Sequence, residues 1–180
     1  MKIHLPKNLG DVIYSIRYRT KLSQKILQTQ PEGAEWIIEG LAIVRYNRLI
    51  DIFLGIASYS LQNHLRTTVT NLGQVEIDEI YVGVDKKGVH YIIPIQAKGG
   101  SDQLSAVQAK QDIACCMEKF PDLVCRALSV QFIEDNLIAL FELCLEDSMI
   151  KVIDEKHYRL VAADNISTTE LIKYKTMSGL

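Results

Sequence analysis

The sequence is poor in the features that announce a specialised class of protein. Its four prolines and ten glycines among 180 residues form no tract, so no long linker is marked. Neither sign of charge dominates: 20 basic against 22 acidic side chains leave a net charge of −2. That excludes a partner held by bulk positive charge, while leaving room for charge gathered on one face. The four cysteines, Cys115, Cys116, Cys125 and Cys144, include no C-x-x-C pair and no histidine at a zinc-like spacing. They read as small hydrophobes of a reduced, cytoplasmic protein. The first residues lack the apolar run of a secretory leader, and LIDIFLGIASYSL is interrupted by Asp51 and short for a bilayer, so no membrane partner is expected. GxSxG, phosphate-loop and dinucleotide fingerprints are missing, which removes support for hydrolase triads, kinases and Rossmann enzymes. His64, His90 and His157 show no nucleophile arrangement and read as structural, and Trp36 reads as a core anchor.

What is present is apolar: 48% of the residues are hydrophobic, enough for one sizeable core. The length predicts a single compact domain, with a helix-and-strand region over 1–40 ahead of the main body at 41–180. Apolar spacing through Leu9, Val12, Ile13 and Ile16 predicts a short helix ending near Leu27. Gln30-Pro31-Glu32-Gly33 reads as a turn and residues 35–39 as a short strand. From 41 to 65 the pattern is helical, broken at Gly55, with a second helical piece at YSLQNHLR. Residues 74–84 (QVEIDEIYVGV) alternate as a strand, Asp85-Lys86-Lys87-Gly88 turns, and 89–97 (VHYIIPIQA) returns as its hairpin partner. Ser101 or Asp102 is then placed to cap a helix reaching Phe120 before Pro121, with Leu104, Val107, Ala114 and Met117 as its apolar side. Strands follow at 127–133 and 137–145, joined by Glu134-Asp135-Asn136, then a short hairpin from 149–153 and 158–161. Ser167-Thr168-Thr169-Glu170 has capping-box spacing for a last helix. The sum is a mixed α/β domain with one central sheet.

The hairpin gathers chemistry. Alternation puts Glu76 and Asp78 on one face of the first strand and Glu79 on the other, while Gln96 and Lys98 share a face of the second. Paired strands lie about 5 Å apart, so Asp78 can approach Gln96-x-Lys98. Phosphodiester hydrolysis calls for a hard cation held by oxygen ligands and for a group that handles the attacking water. Asp78 supplies a carboxylate and Gln96 an amide oxygen as metal ligands, and Lys98 supplies a cation beside the water. Glu76 or Glu79 is the nearest second carboxylate.

This run, IDEIYVGV…HYIIPIQAK closed by Gly99-Gly100 and a helix, resembles the restriction-endonuclease-like (PD-(D/E)XK) nucleases. Their signature is an Asp, a variable gap and (Asp/Glu)-x-Lys on the neighbouring strand. The texture from RYNRLIDIF through VQAKQDIACC to DEKHYRLV, roughly residues 40–165, is similar to stand-alone bacterial or phage endonucleases of that superfamily. The resemblance implies a restriction-endonuclease-like α/β core, a central mixed β-sheet flanked by helices. It also implies a DNA endonuclease dependent on Mg²⁺, with Mn²⁺ as a substitute, and a homodimer for double-strand cleavage. The sequence departs from the pattern where Ile77 replaces a proline and Gln96 an acid, and where YSLQNHLR offers only Gln62 and Asn63 for a helix-borne acid. A second Gln-Ala-Lys, Gln108 to Lys110, lies in a helical pattern and is placed to line the DNA side with Gln111. Arg17, Arg19, Arg45, Arg48 and Arg66 are candidate phosphate contacts. Two other classes stay open: a nuclease-fold module that binds DNA without cutting it, and an interaction protein with no DNA partner.

Overall fold

The computed structural model describes residues 13–17, 34–100, 102–133 and 137–177. The strands are β1 (Ile13–Arg17), β2 (Ala57–Val69), β3 (Gly73–Val84), β4 (His90–Gly99), β5 (Val124–Cys125), β6 (Ala127–Ile133), β7 (Leu137–Glu146) and β8 (Met149–Val161). The helices are α1 (Ala34–Tyr46), α2 (Leu49–Leu54), α3 (Ala106–Lys119) and α4 (Thr168–Met177), the last preceded by a 3₁₀ turn at Ala163–Asn165. The strands form one mixed, open sheet in the order β1-β8-β7-β6-β4-β3-β2, with two-residue β5 beside β4. Pairing is parallel at β1–β8, β4–β5 and β4–β6 and antiparallel elsewhere. The parallel β4–β6 pair needs a crossover, which α3 supplies.

Alternation sorts each strand between two layers. Ile93, Ile95 and Ala97 of β4, with Leu128, Val130 and Phe132 of β6, join Leu41, Val44, Ile50 and Phe53 of α1 and α2. Residues of the opposite face, Ala127, Ala139, Phe141 and Leu143, pack against Ala109 and Ile113 of α3, while Ile92 meets Cys115 and Cys116. All four cysteines are free thiols, and Cys115 and Cys116 are fully buried. No helix among the described residues is long and apolar enough to cross a membrane.

Several expectations are met. The β3–β4 hairpin closes through Asp85, whose carboxylate accepts from the N–H groups of Lys87 (2.8 Å) and Val89 (3.0 Å), with Gly88 at φ 81. At α4 Ser167 and Glu170 form the capping box: Ser167 N donates to the Glu170 carboxylate at 2.9 Å and Glu170 N to Ser167 Oγ at 3.3 Å. Pro94 lies inside a central strand, but where the neighbour of β4 changes from β5 to β6, so its missing donor costs little.

Other expectations are corrected. Residues 13–17 form an edge strand paired with β8, not part of a helix. The stretch 35–39 belongs to α1, because five alternating residues fit one helical turn as well as a strand. YSLQNHLR lies in β2, not in a second helix: Gly55 ends α2 at φ 68, and the chain runs on into an antiparallel ladder with β3 that satisfies its backbone. Helix α3 is capped by Ser105, whose Oγ accepts from Gln108 N at 3.2 Å, rather than by Ser101 or Asp102. Asp102 N instead donates to Gly99 O in the turn that leaves β4. Residues 149–161 make one strand, because the stretch pairs continuously with β7, from Glu146↔Met149 to Leu137↔Arg159. The Gln30–Gly33 turn, the Glu134–Asn136 connection and the side chains of Arg17, Arg19 and Trp36 lie outside the described residues.

Gly40 of α1 faces the ring of Phe132, and a Cβ there would stand 2.5 Å from its Cζ. Overpacking of this kind costs about 1–3 kcal/mol, against roughly 1 kcal/mol that alanine gains over glycine in a helix. Gly40→Ala is expected to lower stability by up to about 2 kcal/mol; a raised urea midpoint would contradict this packing.

Candidate functional site

The ladder between β3 and β4 runs from Val84↔His90 to Glu79↔Ile95 and stops there. One residue further along β3, Asp78 Oδ2 accepts the backbone N–H of Ala97 at 2.8 Å. This bond ties the first strand of the hairpin to the middle of Gln96-Ala97-Lys98. Ala97 belongs to the α1 face of the sheet, so Gln96 and Lys98 turn to the α3 face by alternation. Gln96 is 1% exposed, and neither Oε1 nor Nε2 has a hydrogen-bond partner among the described residues. Across the parallel ladder its register partner is Ser129, fully buried and with an equally unpartnered Oγ. Lys98 is half-buried near the strand end.

The helix above adds an acid that sequence reading missed. Asp112 of α3 is 2% exposed and its Oδ1 has no hydrogen-bond partner among the described residues. Burial first, and then the negative charge of Asp78, push its carboxyl up to about 8, with Lys98 opposing the rise. Asp112 therefore lies within electrostatic reach of both Asp78 and Lys98. The missed signal was spacing: Ala109, Asp112, Ile113 and Cys116 recur at three and four residues and form the inward stripe. Val107 and Met117, expected inside, are 54% and 64% exposed. The expectation followed the larger apolar side chains, whereas close packing of α3 on the sheet selects the small ones.

Several of the other candidates have partners of their own, although Glu79, Arg45 and His64 line one cavity with Asp78. Glu79 is buried on the α1 side, bonded to Arg45 and to the Tyr81 hydroxyl. Burial, reinforced by Glu79, raises the Tyr81 phenol above its ordinary range. Arg45 also donates to Asn63 Oδ1 at 3.1 Å, so its charge is taken up inside the molecule. Arg48 pairs with Asp51 and Arg66 with Glu76, the latter at 3.1 Å. His64 lies 3.9 Å from Glu76, which is exposed. Gln62 is exposed on β2. Gln108, Lys110 and Gln111 are half-buried on α3, off the strand that carries Gln96-x-Lys98. Among the described residues no group of three or more His, Cys, Asp or Glu is placed to hold a metal ion.

No protein-family model and no curated protein matches the chain.

The arrangement offers two carboxyl groups, an amide and an ammonium: Gln96, Lys98 and Asp112 on the α3 side, and Asp78 at the strand edge beside Ala97. Its buried oxygens are hard donors suited to Mg²⁺ or Mn²⁺. The electrostatics carry a measurable consequence. Below about pH 4 Asp112 is protonated in both folded and unfolded chains. As pH rises the unfolded chain ionises first, so this group's contribution to stability drains away until the folded carboxyl ionises near pH 8. Asp112→Asn is expected to flatten that decline and to be more stable than wild type at pH 8. Urea unfolding across pH 4–9 measures both; parallel curves for the two proteins would contradict the raised carboxyl.

Proposed function

We propose that the chain is a Mg²⁺-dependent endonuclease that hydrolyses DNA phosphodiester bonds on a restriction-endonuclease-like core. The observation that carries the reading is the tie between Asp78 and Ala97, which joins the lone Asp to Gln96-x-Lys98. Asp112 stands in electrostatic contact with both sides of it. The meander β2–β3–β4, crossover helix α3 and parallel strand β6 supply the strand–strand–helix setting in which the resemblance expects such residues.

The residues fit the cation. Asp78 spends one carboxylate oxygen on Ala97, and its second oxygen, Gln96 Oε1 and Asp112 Oδ1 are oxygen donors of the type Mg²⁺ takes. When bound, the cation polarises the scissile phosphate and offsets its developing charge. Asp78 also keeps the strand ends in place. Asp112 provides the second carboxyl group that Glu76 and Glu79, engaged elsewhere, do not. Lys98 orients the attacking water and offsets negative charge as the phosphorus gains its fifth oxygen. Gln96 brings an oxygen without a charge, so the set carries less negative charge than an acid would give there.

The test is cleavage of supercoiled and linear DNA with Mg²⁺, with Mn²⁺ and with EDTA. Wild type is expected to cut only with metal, and Lys98→Ala to lose about 10²–10⁴-fold in rate. Asp78→Ala and Asp112→Asn are expected to fall with it. Cutting unaffected by Lys98→Ala would sink the assignment. DNA bound but uncut under either metal would favour the non-cleaving module, and no DNA affinity at all would favour the interaction protein.

A further inference from the structure

The connection from α3 to β5 brings together two thiols that the nuclease reading does not use. Cys116, near the end of α3, is fully buried. Cys125, on β5 beside Ile92 of β4, is half-buried and packs against the apolar cluster that holds Cys116. The two thiols are hydrogen-bonded to each other. That bond holds the Cys125 thiol below its ordinary range, although burial opposes it. The same bond, reinforced by burial, holds Cys116 well above its ordinary range. Cys125 also lines a cavity of about 530 Å³ between α3 and β7, with Ile113, Met117, Leu143 and Cys144 among its walls. A small solute in that cavity meets Cys125, whereas Cys116 lies behind it. A reachable thiolate backed by a buried, protonated thiol is poised for capture of its own oxidised form.

We propose that Cys125 is a site of oxidation by hydroperoxides and that Cys116 resolves it, closing a disulfide between α3 and β5. The Cys125 sulfur attacks one peroxide oxygen and the O–O bond breaks. Cys125 becomes a sulfenic acid, and the other oxygen leaves as alcohol or water with the thiol proton. The Cys116 sulfur then attacks the Cys125 sulfur, the S–OH bond breaks, and hydroxide departs as water with the Cys116 proton. The peroxide gains the two electrons that the two thiols lose. The turn in which Leu123 N donates to Phe120 O at 3.1 Å folds the connection back and keeps the pair together.

The experiment is hydrogen peroxide treatment of the full chain, with and without dimedone, followed by intact mass and peptide mapping. Wild type and Cys144→Ser are expected to lose two hydrogen atoms, with the cross-link mapped to Cys116 and Cys125 and reversed by dithiothreitol. Cys116→Ser is expected to stop at a Cys125 sulfenic acid that dimedone traps, and Cys125→Ser to form no cross-link. Cys116→Ala replaces Cys116→Ser if the hydroxyl upsets folding, since a buried cysteine packs as a small hydrophobe. Four thiols left free in treated wild type would overturn the proposal. So would a cross-link through Cys144 or Cys115, or dimedone on Cys144 in place of Cys125.

Discussion

A single carboxylate holds β3 against β4 at the point where their ladder ends. Beyond Glu79↔Ile95 the two strands no longer pair, and without help the Ala97 N–H would be left bare in the middle of a sheet. Asp78 takes that N–H at 2.8 Å, so the strands part without orphaning a buried donor. Gln96 and Lys98 face α3 by alternation, and Asp112 of that helix lies within electrostatic reach of Asp78 and Lys98.

Asp78 and Glu79 are neighbours in sequence with opposite fates. Glu79 faces α1, where Arg45 and Tyr81 each donate to one of its carboxylate oxygens, and it forms a structural ion pair. Across the sheet, Gln96, Ser129 and Asp112 carry polar atoms that no described residue satisfies. Buried groups of that kind reduce stability by about 1–3 kcal/mol each, more for a charge. A sheet of Ile, Val, Leu and Phe has apolar alternatives at each of those positions. Polar groups buried at that cost are the ones the proposed function would use.

The β3–β4 hairpin, its Asp85 turn, the strands at 127–133 and 137–146 and the capping box at Ser167 were legible because each is written in local chemistry: period two, a turn glycine, a serine three residues before a glutamate. The approach of Asp78 to Gln96-x-Lys98 was legible for the same reason, since hairpin register follows from alternation and a short turn. YSLQNHLR was misread because Leu61 and Leu65 carry helical spacing, whereas the ladder with β3 decides its state. Asp112 was hidden by its own surroundings. Its stripe runs through Ala109, Ile113 and Cys116, of which only Ile113 is a large apolar residue, while Val107 and Met117 drew the helix the wrong way round. The pairing of Arg45, Arg48 and Arg66 with acids was not readable either, because each depends on which carboxylate folding brings near.

Asp78, Gln96, Lys98 and Asp112 all come from the stretch 78–112, a hairpin strand, its return and the crossover helix. Helix α3, which carries Asp112, packs on Ala127 of β6 and on Ala139, Phe141 and Leu143 of β7, so the seat of Asp112 is set by the far side of the sheet as well. Strands β7, β8 and β1 add no group to the set. A change that reseats β7 therefore reaches Asp112 through the helix, although no side chain of β7 belongs to the set.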